Sequence, residues 1–334
     1  MLAVSRDPSP SMSSSEETLI RAVHRLLDQP TGETNEQLRA ALLEGNVVDC
    51  LSRHSALALF RHAIKHASVE LLSCLLRLRL HVGENNLTPT IMQCIVDEGD
   101  AQLLEIFLAS EYVQLDECNH PVSDDARSIL RAAVEQDNVE LVCVLLRHAG
   151  LVHVDEQDPG TGWTALHYAA EWDSVPMQKL LLQKGADINA RARDGLTPLL
   201  VAVHSGHFAS TMFLIQSGAD VSVCDSSACT PLHMAAREGH TALVEYLLHS
   251  GADLHGRDAE GRTPLHVAAY HDESAARFAR SDSDTQLTVI GALLAHGADI
   301  NARDANGNSV LHTAQQGRFD VIVDLLLAHQ RQRR

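Results

Sequence analysis

The sequence has few aromatic residues, no long apolar run and no sign of a disulfide framework. Aromatics make up 4% of its 334 residues while hydrophobic residues make up 45%, so a core has to be built mainly from Leu, Ala, Val and Ile. No apolar segment approaches the roughly 20 residues that a membrane-spanning helix needs. The first residues also lack the basic and apolar regions of a secretory signal. We therefore expect no membrane partner.

The seven cysteines are odd in number and do not form obvious pairs. Three of them, Cys50, Cys74 and Cys143, lie in apolar helical stretches, where a free thiol behaves as a small buried hydrophobe. This usage is typical of a reducing compartment. The expected location is therefore intracellular, cytoplasmic and/or nuclear.

Basic residues are scarce as well. The sequence has 44 acidic and 26 basic residues, which gives a formal net charge of −18. Such a surface repels phosphate backbones and anionic lipid headgroups. The basic end formed by Arg331, Arg333 and Arg334 is too short to reverse that repulsion, so we expect no direct nucleic-acid binding.

What the sequence does contain is a repeat of 33 residues. A TPLH motif, or a close variant of it, begins at Thr164, Thr197, Thr230 and Thr263. The tripeptide Gly-Ala-Asp has the same period, at Gly185, Gly218 and Gly251. Two landmarks that share one period indicate stacked structural repeats.

The period is broken once. The next Gly-Ala-Asp begins at Gly297, 46 residues after Gly251, and the last helix-opening motif begins at Ser309, 46 residues after Thr263. Since 46 exceeds 33 by 13, the sequence predicts one insertion of 13 residues near 271–286.

These motifs resemble the ankyrin repeat across about 158–330. The resemblance implies an all-α fold, an ankyrin-repeat solenoid of about eight to nine helix-turn-helix repeats with short β-hairpin fingers. The residue types fit, because Thr can cap a helix and Pro is tolerated in its first turn. Two positions depart from the pattern: Ala228 replaces the glycine of its hairpin, which predicts a distorted turn, and Leu200 replaces the motif histidine.

Outside the clear repeats the pattern weakens. Residues 1–16 read as a disordered tail rich in Ser and Pro, residues 17–157 as degenerate ankyrin-like repeats, and residues 331–334 as a basic tail. Within 17–157, helix pairs are expected to open at Ser55, Thr88 and Ser128.

Neither catalysis nor metal binding is expected. The motif histidines lie one repeat apart, too far to share an ion, and in the family they are structural. No nucleophile elbow or phosphate loop is present, and a solenoid is poor at enclosing a dry pocket. We predict no enzyme activity, no cofactor and no small-molecule substrate.

The resemblance also places the partner-binding residues. In the family, ligands usually meet the hairpin tips and the exposed side of the first helix, which here gives Thr161, Trp163, Trp172, Arg193, Leu196, His204, Arg237, Arg262, Tyr270 and His271. Trp, Tyr and Arg dominate binding energy at interfaces. Trp163 could instead pack on the neighbouring hairpin. The insertion itself is first interpreted as drift, and the alternative is a second partner contact through Arg277 and Phe278.

The expected function is therefore protein–protein interaction, with one or more protein partners. The chain would act as an adaptor, scaffold or inhibitor through the concave ankyrin surface. One alternative is a transcriptional coregulator that binds a transcription factor. Another is a non-catalytic or cryptic enzyme subunit, with its chemistry hidden in the degenerate half.

Overall fold

The computed structural model describes residues 53–77, 88–110, 129–148, 152–270, 283–317 and 320–332. The chain divides into two units, residues 1–153 and residues 154–334, and each is described by itself. In the described residues every regular element is a helix, which confirms the all-α class.

The described part of the first unit contains three helix pairs. They are α1 (Arg53–Lys65), α2 (Val69–Arg77), α3 (Thr88–Glu98), α4 (Ala101–Leu108), α5 (Ile129–Glu135) and α6 (Val139–Leu145). The first helix of each pair packs on the first helix of the next, and the second helices pack in the same way. Phe60 and Phe107 are fully buried in this stack.

The described part of the second unit contains five helix pairs. They are α7 (Ala165–Glu171), α8 (Val175–Gln183), α9 (Pro198–His204), α10 (Phe208–Gln216), α11 (Pro231–Glu238), α12 (Thr241–His249), α13 (Pro264–Ala269), α14 (Ser283–Ala295), α15 (Val310–Gln316) and α16 (Asp320–Gln332). The first helices α7, α9, α11, α13 and α15 pack in sequence. The described residues thus form eight helix pairs, and the total of eight to nine repeats stays a prediction.

In three repeats the histidine of the TPLH motif forms a hydrogen-bonded link between the first helix and the next loop. In α11, the Nδ1 atom of His233 lies 2.8 Å from the hydroxyl of Thr230, and its Nε2 atom lies 3.0 Å from the carbonyl oxygen of Arg262. His167 and His266 form the same pair of contacts in α7 and α13. These three rings are buried, so the bonds join repeats within the core.

The fourth motif position in α9 is different. Leu200 is fully buried and has no polar group to offer. The hydroxyl of Thr197 accepts a hydrogen bond from the backbone N–H of Leu200 instead, at 3.4 Å. The helix start therefore keeps its cap, but this repeat lacks the side-chain bond to the next loop.

The loops between repeats are tight turns. In one of them the N–H of Asp258 donates to the carbonyl of Arg262 at 3.0 Å, and the N–H of Gly261 donates to the carbonyl of Asp258 at 2.9 Å. The fingers therefore form as turns: in the described residues no strand is present, and the only extended pairing is one bridge between Arg303 and Ser309. Hydrogen bonds confined to one turn form no ladder of successive strand pairs.

The distorted turn predicted at Ala228 is not observed. Ala228 adopts a φ of 56°, in the left-handed region where the equivalent Gly261 has a φ of 71°. Its N–H donates to the carbonyl of Asp225 at 3.1 Å, matching the bond from Gly261 to Asp258 at 2.9 Å. The turn therefore keeps its geometry, and the alanine adopts a conformation that L-residues disfavour.

Helix α14 follows the predicted insertion and still makes the contact to the previous repeat that other second helices make. Gln286 is buried, and its side-chain nitrogen donates to the carbonyl of Arg237 at 2.8 Å. His207 and His240 make the corresponding contacts with the carbonyls of Glu171 and His204, at 2.8 and 3.4 Å. Gln286 thus takes the place of a histidine of the repeat, inside a helix that begins at Ser283.

Several predicted segments lie outside the described residues. These are the tail at 1–16, the degenerate repeats before residue 53, and most of the insertion, residues 271–282. At the other end α16 continues to Gln332, so it includes the first two residues of the predicted basic tail 331–334. In the part of the chain that the structure describes, no helix has the length and apolar character to cross a membrane.

Candidate functional site

Aspartate side chains hold the loops of the second unit in shape. One carboxylate oxygen of Asp258 accepts the N–H groups of Glu260 and Arg262, at 3.0 and 2.8 Å. Asp225 and Asp304 do the same in their own loops. Asp158 accepts the N–H groups of Gly160 and Thr161, at 2.8 and 2.9 Å. Each of these four loops therefore closes around a carboxylate, which orders the residues at its tip.

The loops are also joined to one another by backbone hydrogen bonds. Four such bonds, of 2.9 to 3.2 Å, run from Arg193 to Thr161, Ser226 to Asp194, Ala259 to Ser227 and Ala305 to Glu260. Each donor N–H lies one repeat after its acceptor carbonyl. The loop tips thus form a continuous frame, and a surface ordered in advance loses little entropy when it binds a partner.

Five predicted partner-binding residues lie in these loops. Thr161 and Arg193 are exposed, whereas Trp163, Leu196 and Arg262 are partly buried. The guanidinium of Arg262 donates to the carboxylate of Asp258 at 2.8 Å and also pairs with Glu260. Arg262 is therefore already engaged within its own loop.

Four further predicted residues lie at the exposed ends of the first helices, and we call this set the helix-end surface: Trp172, His204, Arg237 and Tyr270. Trp172 is 43% exposed and Tyr270 is 44% exposed, which is uncommon for large apolar side chains in the described residues. His204 and Arg237 are exposed as well. The structure thus leaves these four side chains exposed at the ends of the first helices of four successive repeats.

A shared carboxylate organises the middle of the helix-end surface. The Oε1 atom of Glu238 lies 3.0 Å from the Nε atom of Arg237 and 3.6 Å from the Nδ1 atom of His204. The Glu238 side chain is only 18% exposed, whereas the Arg237 side chain is 47% exposed. Arg237 therefore keeps donor groups accessible to a partner while one side of it is fixed.

The two tryptophans belong to one aromatic cluster. The Trp163 ring lies 5.1 Å from the Tyr168 ring and 5.9 Å from the His167 ring, between centroids. The Tyr168 ring in turn lies 6.0 Å from the Trp172 ring. Trp163 thus packs on the helix of its own repeat, a contact that the sequence-based alternative of packing on a neighbouring hairpin did not include.

The remaining predicted site residues, His271, Arg277 and Phe278, lie outside the described residues. Partner binding by any member of the predicted set stays a prediction. What the structure establishes is where the described members lie: five in the loop frame and four on the helix-end surface.

Sequence reasoning missed the residues that build the frame. It did not single out the loop aspartates, although Asp225, Asp258 and Asp304 each come five residues before the motif Thr or Ser. That fixed spacing was a usable signal. It also missed Tyr168, which joins the tryptophans, and Phe208, a 42% exposed ring 5.5 Å from Tyr246.

The thiol and the metal-ligand chemistry of the described residues are limited. Burial, helped by Asp225 and Asp258, raises the pKa of the Cys229 thiol to about 11, so the thiol is protonated and a poor nucleophile at neutral pH. In the residues that the structure describes, no group of three or more His, Cys, Asp or Glu side chains could hold a metal ion.

The fold and the loop frame define a class of protein: helix pairs that pack on one another and are joined by ordered turns. Comparison with known proteins identifies the family. The descriptions "Ankyrin repeats (3 copies)" and "Ankyrin repeats (many copies)" match residues 91–192 and 199–288, and residues 275–326. These matches cover more than half of the sequence, and the chain belongs to the ankyrin repeat family.

Similar proteins share only part of their length with this chain. The potassium channel AKT3 of Oryza sativa subsp. japonica is 43% identical over 83 residues, 25% of this chain and 9% of that protein. The BTB/POZ domain and ankyrin repeat-containing protein NH5.2 of the same plant is 36% identical over 108 residues, 32% and 20% of the two chains. Regulatory protein NPR6 of Arabidopsis thaliana is 32% identical over 153 residues, 40% and 31%. The chain thus spans less than a third of these relatives.

Proposed function

We propose that the chain is an adaptor, scaffold or inhibitor that binds a partner protein through the helix-end surface and the adjoining loop tips. Ankyrin repeats are protein-interaction modules, so a protein partner is the general expectation for the family. The choice of surface rests on one observation: Trp172, Tyr270 and Arg237 are exposed at the ends of the first helices of their repeats.

The residue types support this choice. Truncation of Trp, Tyr and Arg side chains usually costs the most at protein interfaces. Exposed aromatic rings are costly to leave in water, so burying Trp172 and Tyr270 against a partner would be favourable. An interface over several repeats could reach the usual size of about 800 Å² per partner.

The proposal is tested by affinity purification with mass spectrometry, on the wild-type chain beside a Trp172→Ala/Tyr270→Ala variant. We expect a partner that the wild type retains and the variant loses. The matched control is Phe208→Ala, since Phe208 is equally exposed but lies on a second helix. Circular dichroism has to show first that every variant keeps its helices. A partner that all three proteins retain would contradict the proposed surface.

A narrower function, transcriptional coregulation, is a second candidate. The net charge of −18 disfavours contact with DNA and would suit the basic region of a DNA-binding partner. One similar protein is named a regulatory protein. Identification of a transcription factor among the captured partners would support this candidate, and partners confined to other classes would rule it out.

The proposal includes that the chain has no catalytic activity of its own. The alternative of a cryptic enzyme subunit placed its chemistry in the degenerate half. In the described residues of that half, the helices form three packed pairs of the same design as the later repeats. That arrangement supports a binding role and leaves the enzyme alternative without a described site.

A further inference from the structure

The segment that contains both tryptophans is acidic. Residues 154–174 contain five carboxylates and neither Lys nor Arg; the carboxylates are Asp155, Glu156, Asp158, Glu171 and Asp173. Two of them, Glu171 and Asp173, directly precede and follow the exposed Trp172 in the chain. An aromatic face attracts a cation through its quadrupole, and nearby carboxylates add to that attraction.

The carboxylates beside Trp172 form hydrogen bonds with neutral groups. The carboxylate of Glu171 accepts from the hydroxyl of Ser205 at 2.9 Å. The carboxylate of Asp173 accepts from the hydroxyl and the N–H of Ser210, at 2.6 and 3.0 Å. Within the part of the chain that the structure describes, neither forms an ion pair. Both are therefore held in place with their negative charge uncompensated.

The repeat pattern does not require these three residues. One repeat later, Glu171, Trp172 and Asp173 are replaced by His204, Ser205 and Gly206, and two repeats later by Arg237, Glu238 and Gly239. Asp173 adopts a left-handed φ of 55°, where the next two repeats have Gly206 and Gly239. One repeat earlier the two acidic residues recur as Glu135 and Asp137, with Gln136 between them, so the exposed indole is what distinguishes this repeat.

We propose that Trp172, Glu171 and Asp173 form a docking site for a basic protein segment, with an Arg or Lys side chain packed on the indole between the two carboxylates. This inference rests on the proposed function and specifies the chemistry of the partner. Tyr168 supports the indole from within, at 6.0 Å between ring centroids. The net charge of −18 attracts such a segment from a distance.

The test uses the full chain and two synthetic peptides of equal length, an Arg-Ser repeat and a Glu-Ser repeat. Isothermal titration calorimetry is expected to show binding of the Arg-Ser peptide alone, weakening as salt is added. Trp163 and Trp172 are the only tryptophans of the sequence, so a change in tryptophan emission would report contact with this cluster.

Variants separate the site from general charge attraction. Trp172→Ala is expected to raise the Kd of the Arg-Ser peptide about tenfold, and Trp172→Phe, which keeps a ring on Tyr168, to raise it less. Glu171→Gln and Asp173→Asn keep their hydrogen-bond acceptors but lose the charge, and each is expected to raise the Kd about threefold. Phe208→Ala, which removes a ring of similar exposure from the second helix α10, is the matched control and should leave the Kd unchanged.

Two results would overturn the inference. The first is equal affinity of the Arg-Ser peptide for wild type and for the Trp172 and charge variants, which would mean attraction by the whole acidic surface. The second is a captured partner that depends on Trp172 but binds through an apolar or acidic segment. In that case the proposed function would stand and only the basic partner would be rejected. A captured partner that binds the wild type and the helix-end variants equally well would instead reject the proposed function.

Discussion

Ala228 adopts a left-handed backbone conformation that glycine adopts in the other loops of the second unit. Its φ of 56° lies in the left-handed region, where a Cβ atom costs an L-residue about 1–2 kcal/mol. We expect Ala228→Gly to raise the free energy of unfolding by about 1 kcal/mol, after allowance for the greater freedom of glycine in the unfolded chain. Urea unfolding followed by circular dichroism measures the change.

The chain offers a reciprocal control for this prediction. Gly307 has a φ of 80°, and a Cβ atom added there would meet nothing within 4 Å. Gly307→Ala should therefore lower the free energy of unfolding by about 1 kcal/mol through backbone conformation alone. A neutral or destabilising Ala228→Gly would show that the alanine methyl group makes a compensating contact.

The exposure of single residues could be predicted from sequence better than their contacts. Trp172 and Tyr270 depart from the repeat pattern at positions that face solvent, and the structure places both in solvent. The position of Trp163 on Tyr168 was not predictable, because a partly buried ring in a loop can turn toward either neighbouring element. Its orientation depends on packing that a spacing pattern does not encode.

At the scale of the element, the loop aspartate is the residue on which each turn depends. Asp258 is 6% exposed and accepts two backbone N–H groups and the guanidinium of Arg262. We expect Asp258→Ala to lower the free energy of unfolding by about 2–3 kcal/mol, because it leaves donors without acceptors in a partly buried turn. Thermal and urea unfolding both measure this loss.

Two variants test whether the carboxylate geometry is the cause. Asp258→Asn keeps one carbonyl acceptor and should cost less than Asp258→Ala. Glu260→Ala removes an exposed carboxylate from the same loop and should change stability by less than about 0.5 kcal/mol. Equal losses for Asp258→Asn and Asp258→Ala would assign the effect to the ion pair with Arg262.

The start of each first helix could be predicted from the sequence, because a Thr cap and a first-turn Pro are local signals. The register of α14 after the insertion could not. Gln286 reaches the carbonyl of Arg237, 49 residues earlier in the chain, and replaces a histidine of the repeat. Only the folded stack shows that an amide can make this contact.

At the scale of the whole molecule, stability should depend on the buried histidines. Burial lowers the pKa of His167, His233 and His266 below the usual 6.5, although their carbonyl partners act in the opposite direction. The unfolded chain therefore binds protons first as the pH falls. Stability is fully present above about pH 6.5 and is lost as the pH falls from there toward the folded-state pKa values.

We expect the urea midpoint to decrease between about pH 7.5 and about pH 5.5, above the range in which carboxylates titrate. For each histidine, every unit by which the folded-state pKa lies below the unfolded-state pKa changes the free energy of unfolding by about 1.4 kcal/mol over the full titration. His233→Gln removes one of the three groups, so its stability should be lower at neutral pH and should change less with pH. A midpoint that is constant over this range would contradict the assignment of these rings as neutral structural donors.

The sequence by itself determined the repeat period, the helical class, the caps and the family resemblance, because these depend on residues close together in the chain. The tertiary structure alone decided which side chains act together. Glu238 lies between His204 and Arg237, Asp173 binds Ser210, and Tyr168 joins both tryptophans. Such contacts depend on rotamers and on partners that stacking brings together, and neither is fixed by a period of 33 residues.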